Sequence, residues 1–374
     1  MSATSLRHVE LPAGTRELRD EVRRFLDRTE FEPSVDSWVR GFDRNFSRLL
    51  GQQGWIGMTW PSTYGGAERS ALDRFVVNEE LLAAGAPVAA HWLADRQIGP
   101  GILRYGSEHL RGRYLARITT GELALAAGLS EPDAGSDLAA VRTKAVRADG
   151  GWRISGRKIW TSGAHLADGI LVLCRTGAAG ENRHEGLSQL MVELPAPGVE
   201  IRPLPGLDGE THFSEVTFDD TFVPDTHIVG RIGDGWRQIT AELALERSGA
   251  ERFLSNFVLL DRYFDHGCRR DRVVTGAVSR LRLLRQASLA VAELLDQGDR
   301  PETEAALVKD AGTTFEQLLA EDVLTHADVV PDPESDDDLS RLLAQAVVRA
   351  PTSTIRGGSS DILRGMVARG LGLR

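Results

Sequence analysis

Hydrophobic patterning divides the chain into three regimes. Up to about residue 120, apolar residues recur at helical spacing. Leu18, Val22, Phe25 and Leu26 make a 3.6-residue stripe behind Thr15, a candidate cap. Further helices are expected over Val39–Gly51, over Ala71–Leu82 and around Ile98–Leu103, with a loop through GWIGMTWPSTYGGAERS. Asn78, Glu79 and Glu80 read as a solvated face or a helix contact. From about 121 to 230 the period shortens to two, in Val141–Arg147, in parts of Trp152–Ile159, in Leu187–Leu194 and in Phe213–Phe218. Glycine turns at Asp149-Gly150-Gly151, Gly177–Gly180 and Asp208-Gly209 separate these runs. Such alternation predicts a predominantly antiparallel sheet, left through Val223-Pro224-Asp225.

Helical spacing returns from about 231. One long helix is expected from Gly235 to Phe264, with Gly249 as its weak point, then helices over Val274–Gln297, Pro301–Ala327 and Leu339–Ala350. Pro331 to Asp338 is an acidic loop. Ile355-Arg356-Gly357-Gly358-Ser359-Ser360-Asp361 is a glycine turn into a last helix, with Ser359 or Ser360 as N-cap. The fold class is α+β, with domains at 1–120 (helical), 121–230 (β) and 231–374 (helical).

Composition narrows the function classes. The 374 residues, 41% hydrophobic and 26% charged, suit a globular protein of two or three domains. A net charge of −10 without a basic stripe argues against nucleic acid. No run approaches the roughly 18 apolar residues of a membrane span, and the N-terminal MSATSLRHVELPAG has no apolar signal core. Cys174, in the apolar run GILVLC, reads as core, and Cys268 as exposed. Two distant cysteines suggest a reducing cytoplasm rather than a disulfide framework. The histidines show no HxxxH spacing, so no metal site is expected.

The candidate chemistry concentrates in Leu129–Gly163. Glu131-Pro132-Asp133-Ala134-Gly135-Ser136-Asp137 offers backbone N–H groups and short hydroxyls to a polar ligand. Trp160 offers a flat wall beside Thr161 and Ser162, together enough for a large planar heterocycle. From these residues alone, a hairpin with a surface loop and a core tryptophan fits equally well.

TWPSTYGG, LSEPDAGSDL, GRKIWTSGAH, FDDTFVPDTHIVG with GDGW, and GGSSDILRGMVARGLGL resemble the acyl-CoA dehydrogenase family, in that family's order and spacing. The resemblance implies an N-terminal helical domain, a central antiparallel β-barrel-like domain and a C-terminal four-helix bundle, with FAD as cofactor. It implies removal of the α proton and β hydride of an acyl-CoA thioester, giving the trans-2-enoyl-CoA. By the same resemblance Leu129, Ser130, Gly135, Ser136, Trp160, Thr161, Ser162, Ser359 and Asp361 bind the cofactor. Ser136, Arg247 and Gly357 contact substrate, and electron transfer flavoprotein is the electron acceptor.

Two departures from the family pattern matter. Where many members carry their catalytic Glu, in a Tyr-Glu-Gly-Thr turn, this chain has Arg356-Gly357-Gly358-Ser359, and glycine takes no proton. A subset of the family places the base in a Leu-Glu-Arg after GDGW. Leu245-Glu246-Arg247 matches, so Glu246 is the candidate base, with Glu242 and Glu251 as neighbouring decoys. The family's Arg-x-x-Phe-Gly and Gly-Gly-x-Gly runs, which reach a neighbour's FAD, are replaced by HGCRRDRVVTGAVSR and the acidic HADVVPDPESDDDLS. The expected assembly is a heteromer in which a second dehydrogenase-like chain completes the FAD site, as in bacterial enzymes acting on steroid side chains, or else a divergent homodimer. A non-catalytic partner subunit and a flavin oxidase or monooxygenase on the same fold are the alternatives.

Overall fold

The computed structural model describes residues 6–178, 182–247, 249–267 and 271–373; the side chains of 242–246 are outside that description. Cys268 and the far end of the Gly177–Gly180 turn therefore lie outside the described residues. Thirteen α-helices occur among the described residues: α1 (Gly14–Leu26), α2 (Ser37–Arg40), α3 (Arg44–Gln52), α4 (Ala71–Ala83), α5 (Ala89–Leu93), α6 (Gly99–Tyr105), α7 (Glu108–Thr119), α8 (Gly235–Glu246), α9 (Phe257–Asp265), α10 (Arg272–Asp296), α11 (Glu302–His326), α12 (Asp338–Arg349) and α13 (Ser360–Gly370). The strands are β1 (Leu125–Gly128), β2 (Lys144–Ala148), β3 (Gly151–Ser162), β4 (Gly169–Arg175), β5 (Leu187–Glu193), β6 (Val199–Leu204), β7 (Phe213–Pro224) and β8 (Ile228–Val229). The fold forms two compact units, one of residues up to 41, 69–88 and from 244 onward, the other of 42–68 and 89–243.

In the helical unit α1 packs on α4, and Leu18 and Val22 of α1 and Val76, Val77 and Leu81 of α4 are buried. Each such aliphatic side chain contributes about 1.5–3 kcal/mol by leaving water. Helices α10 and α11 pack along each other, and α13 lies on α11. Glu79 is a helix contact and not a solvated face: it is 9% exposed and bonds Arg19 on α1 and Arg285 on α10 at 2.8 and 2.5 Å.

Three expected helices differ in their limits. Thr15 does not cap α1; it sits inside the first turn with its hydroxyl on the Pro12 carbonyl at 2.6 Å. Val39–Gly51 is not continuous, because Asp43 accepts from the Asn45 and Phe46 amides and starts α3 afresh. At the break, a Cβ on Gly41 would lie 2.8 Å from the Pro87 Cα. Nor does one helix run from Gly235 to Phe264. Gly249 is extended, and Ala250–Arg252 forms a buried 3₁₀ turn before α9 begins.

In the β unit the strand order is β6-β7-β3-β2-β4-β5-β8, with β1 added parallel to β4. Most neighbours are antiparallel, as alternation predicts, but β6 and β8 do not pair, so the sheet is open and not a barrel. Inward residues Ile154, Ile170, Val172, Cys174, Leu190, Val216 and Phe218 form its core. Strand β4 is buried along almost its whole length and so shows no alternation. Burial pushes the Cys174 thiol up to about 12, which makes it an inert core residue.

Candidate active site

The β unit presents one polar strip. On β3 even-numbered residues Trp152, Ile154 and Lys158 face inward. Between Lys158, paired with Val216, and Thr161, paired with Ser214, three steps on β3 match two on β7. This bulge inserts one residue and reverses the alternation. Thr161 therefore turns inward at 1% exposure, and Trp160 is thrown outward at 59%. The core-tryptophan reading is thereby excluded. Trp160 has φ +58, a left-handed conformation costing about 1–3 kcal/mol in a non-glycine residue. Phe213 props its ring edge-on at 5.6 Å. The Thr161 hydroxyl is buried with no hydrogen-bond partner among the described residues, and Ser162 is half-buried beside it.

The Glu131–Asp137 turn is fastened to this bulge. Lys158, fully buried, donates through Nζ to the Leu129 carbonyl and the Glu131 carboxylate, both at 2.9 Å. The Ile159 amide donates to the Ser130 carbonyl at 3.0 Å. Glu131 also accepts from the Arg142 and Thr143 amides at 2.6 and 2.8 Å. Burial pushes the Glu131 carboxyl up, but Lys158 and these bonds outweigh it and hold the group below its ordinary value. Burial draws the Lys158 ammonium down against the opposing pull of Glu131. Gly135 and Ser136 are exposed at the tip, and a Cβ on Gly135 would meet nothing within 4 Å. Leu129 and Ser130 are thus tied directly to β3 next to Trp160 and Ser162, Gly135 and Ser136 extend from the same turn, and the Thr161 side chain faces the core.

The helical unit carries the remaining candidates around the Arg356–Ser359 turn. Gly357 and Gly358 have φ +65 and +104, which glycine alone adopts readily. Arg247 Nε donates to the Gly357 carbonyl at 3.3 Å, and the buried Lys309 Nζ donates to the Gly358 carbonyl at 2.9 Å. Arg356 donates twice to Asp36, and the Arg252 and Arg356 guanidiniums lie over the Trp38 ring at 4.9 and 4.7 Å. Below them Glu316 accepts from the Ser255 amide, and burial together with the Asp36 charge pushes it up to about 8. Ser359 occupies the N-cap position of α13 with no side-chain capping bond, and Asp361 is exposed in the first turn. Glu246 is the last residue of α8, and its side chain lies outside the described residues.

Residues 13–122 match the acyl-CoA dehydrogenase N-terminal domain and residues 126–221 the middle domain. The chain is 36% identical over 344 residues to the acyl-CoA dehydrogenase IpdE1 of Mycobacterium tuberculosis, covering 88% of each.

This chain belongs to the acyl-CoA dehydrogenase family.

It is accordingly an oxidoreductase of that type. It is 31% identical to the acyl-CoA dehydrogenase FadE29 of the same organism, covering 96% of this chain and 97% of that one. Among solved structures, the Tcur3481-Tcur3483 steroid acyl-CoA dehydrogenase superimposes with TM-score 0.85 at 28% identity, covering 98% and 99% of the two chains. The ChsE4-ChsE5 complex of Mycobacterium tuberculosis does so with TM-score 0.82 at 25% identity, covering 98% and 100%. Both solved structures are named as two-component proteins.

Sequence reasoning missed the residues that hold the site. Lys158 carried a signal, since a lysine on the inward face of a strand needs a buried partner. Asp36 and Lys309 carried none, because their partners are 320 and 49 residues away.

Proposed function

We propose that this chain is the FAD-bearing, base-bearing subunit of a heteromeric acyl-CoA dehydrogenase acting on a bulky, steroid-side-chain-like or fatty acyl-CoA. The observation that carries the reading is the outward, strained Trp160 with the half-buried Ser162 two positions along the strand. Strain of that kind clusters at ligand sites, and an exposed aromatic wall near a half-buried hydroxyl fits an isoalloxazine. Trp160 would flank the ring. Leu129, Ser130 and Ser162, with Thr161 through its backbone, would bond its edge, Gly135 and Ser136 would lie toward the cofactor and the pantetheine, and Ser359 and Asp361 would hold the remainder. FAD, when bound, accepts the β hydride of the substrate.

An α proton beside a thioester is weakly acidic, so its removal needs a well-placed carboxylate and donors to the developing enolate oxygen. Glu246 takes the proton, since Gly357 stands where other members keep their Glu. The Gly357 amide donates to the thioester carbonyl, and Arg247 orders the turn and lies near the substrate. The partner is a second dehydrogenase-like chain, and electron transfer flavoprotein takes the electrons onward. The heteromer is favoured by the connection between α11 and α12, which carries Asp332, Glu334, Asp336 and Asp337 where a diphosphate contact is needed. An acidic segment repels a pyrophosphate.

The test is to purify the chain alone and with its candidate partner, record the flavin spectrum and assay a panel of acyl-CoA thioesters. A flavin-loaded complex that forms enoyl-CoA is expected. A colourless complex inert to every thioester would overturn the assignment. Flavin bound only with the partner would support the heteromer.

A further inference from the structure

Glu131 and Lys158 stand 27 residues apart in sequence and meet at 2.9 Å, the lysine fully buried and the glutamate 8% exposed. A buried ion pair is not in itself a source of stability, because desolvation offsets the attraction. Its bonds suggest another use. Lys158 holds the Leu129 carbonyl, and the next amide on β3, that of Ile159, holds the Ser130 carbonyl. Glu131 binds the Arg142 and Thr143 amides, which close the loop from the far side. Within the turn, the Glu131 and Ala134 amides and carbonyls bond reciprocally at 2.9 and 3.0 Å. The Leu129 and Ser130 carbonyls and the Glu131 carboxylate are thereby tied to β3 at Lys158 and Ile159, beside the bulge.

We propose that the Glu131–Lys158 pair is a positioning device that preorganises the Leu129–Ser136 loop against the Trp160 bulge, so that this half of the cofactor cradle is formed before FAD arrives. The proposal rests on the flavin reading above. A preformed site binds more tightly because less ordering accompanies binding. Both residues are positioning residues and touch no reacting atom.

The experiment combines amide hydrogen exchange on the apoprotein with FAD titration. The proteins compared are wild type, Glu131→Gln, Lys158→Met, the double variant, and Arg147→Met, which breaks the exposed pair with Asp225 in the same unit. In wild-type apoprotein, the Arg142, Thr143 and Ile159 amides should be as protected as in the holoprotein. The double variant removes both charges together and should stay folded. It should expose those amides and bind FAD about tenfold or more weakly, the size of loss typical when outer-shell supports of a bound group are removed. Arg147→Met should leave both readings unchanged. Unprotected amides in the wild-type apoprotein would overturn the proposal, with no variant needed. So would a double variant that keeps wild-type exchange and FAD affinity. A wild type that binds no FAD even with its partner would sink the flavin reading, while the exchange data would still judge the pair.

Discussion

Arg356 grips Asp36 with both terminal guanidinium nitrogens, at 2.6 and 2.5 Å, immediately before the Gly357-Gly358 turn. Asp36 is 3% exposed, has φ +60, and bonds the Ser255 carbonyl through its amide. Removing one partner leaves a buried charge uncompensated, at a cost of about 3–5 kcal/mol. Asp36→Asn keeps the shape and tolerates the left-handed backbone, so it isolates the charge. We expect Asp36→Asn and Arg356→Met each to lower the urea midpoint strongly and the double variant to recover part of the loss. Additive losses in a double-mutant cycle would show that the pair is not coupled.

Glu316 gives the same unit a pH dependence. Its folded pKa is raised to about 8 from an ordinary 4.5, so the folded state holds a proton that the unfolded state releases. Stability contributed by this group is therefore greatest below about 4.5 and declines as pH rises toward 8. The slope is at most ~1.4 kcal/mol per pH unit. Glu316→Gln should flatten the fall in melting temperature across that window. A variant with the wild-type slope would assign the dependence to other groups.

Trp160 ties backbone strain to ligand binding. Its φ of +58 is costly for tryptophan and free for glycine. Trp160→Gly should leave the apoprotein's melting temperature unchanged or higher, while weakening FAD retention on gel filtration. Loss of apoprotein stability would mean that the ring contributes more to the fold than its 59% exposure suggests.

The sequence carried the long periodic elements well. Helices α4, α10 and α11 lie within a few residues of their expected limits, because each has an apolar stripe and clear end signals. Strands β1, β4, β6 and β8 escaped notice: Leu125–Gly128 and Ile228–Val229 are short, Gly169–Arg175 is buried and shows no alternation, and Val199–Leu204 leads from one glycine turn into another. The break between α8 and α9 was missed because its buried polar residues, Glu251, Arg252, Ser255 and Asn256, suit a helix face as well as a tertiary network. Motifs singled out Gly135, Ser136 and Trp160, which are exposed. The Trp160 bulge and the Glu131–Lys158 tie depend on strand register and distant partners, which local pattern does not encode.

Glu246 is central to the account, and anaerobic mixing of acyl-CoA with the flavin-loaded protein tests it most directly. In wild type the visible flavin band should bleach as enoyl-CoA forms. In Glu246→Gln the flavin should remain bound while bleaching slows by about 100-fold or more, the scale of a lost general base. Equal bleaching rates in the two proteins, each with full flavin content, would contradict the assignment of the base.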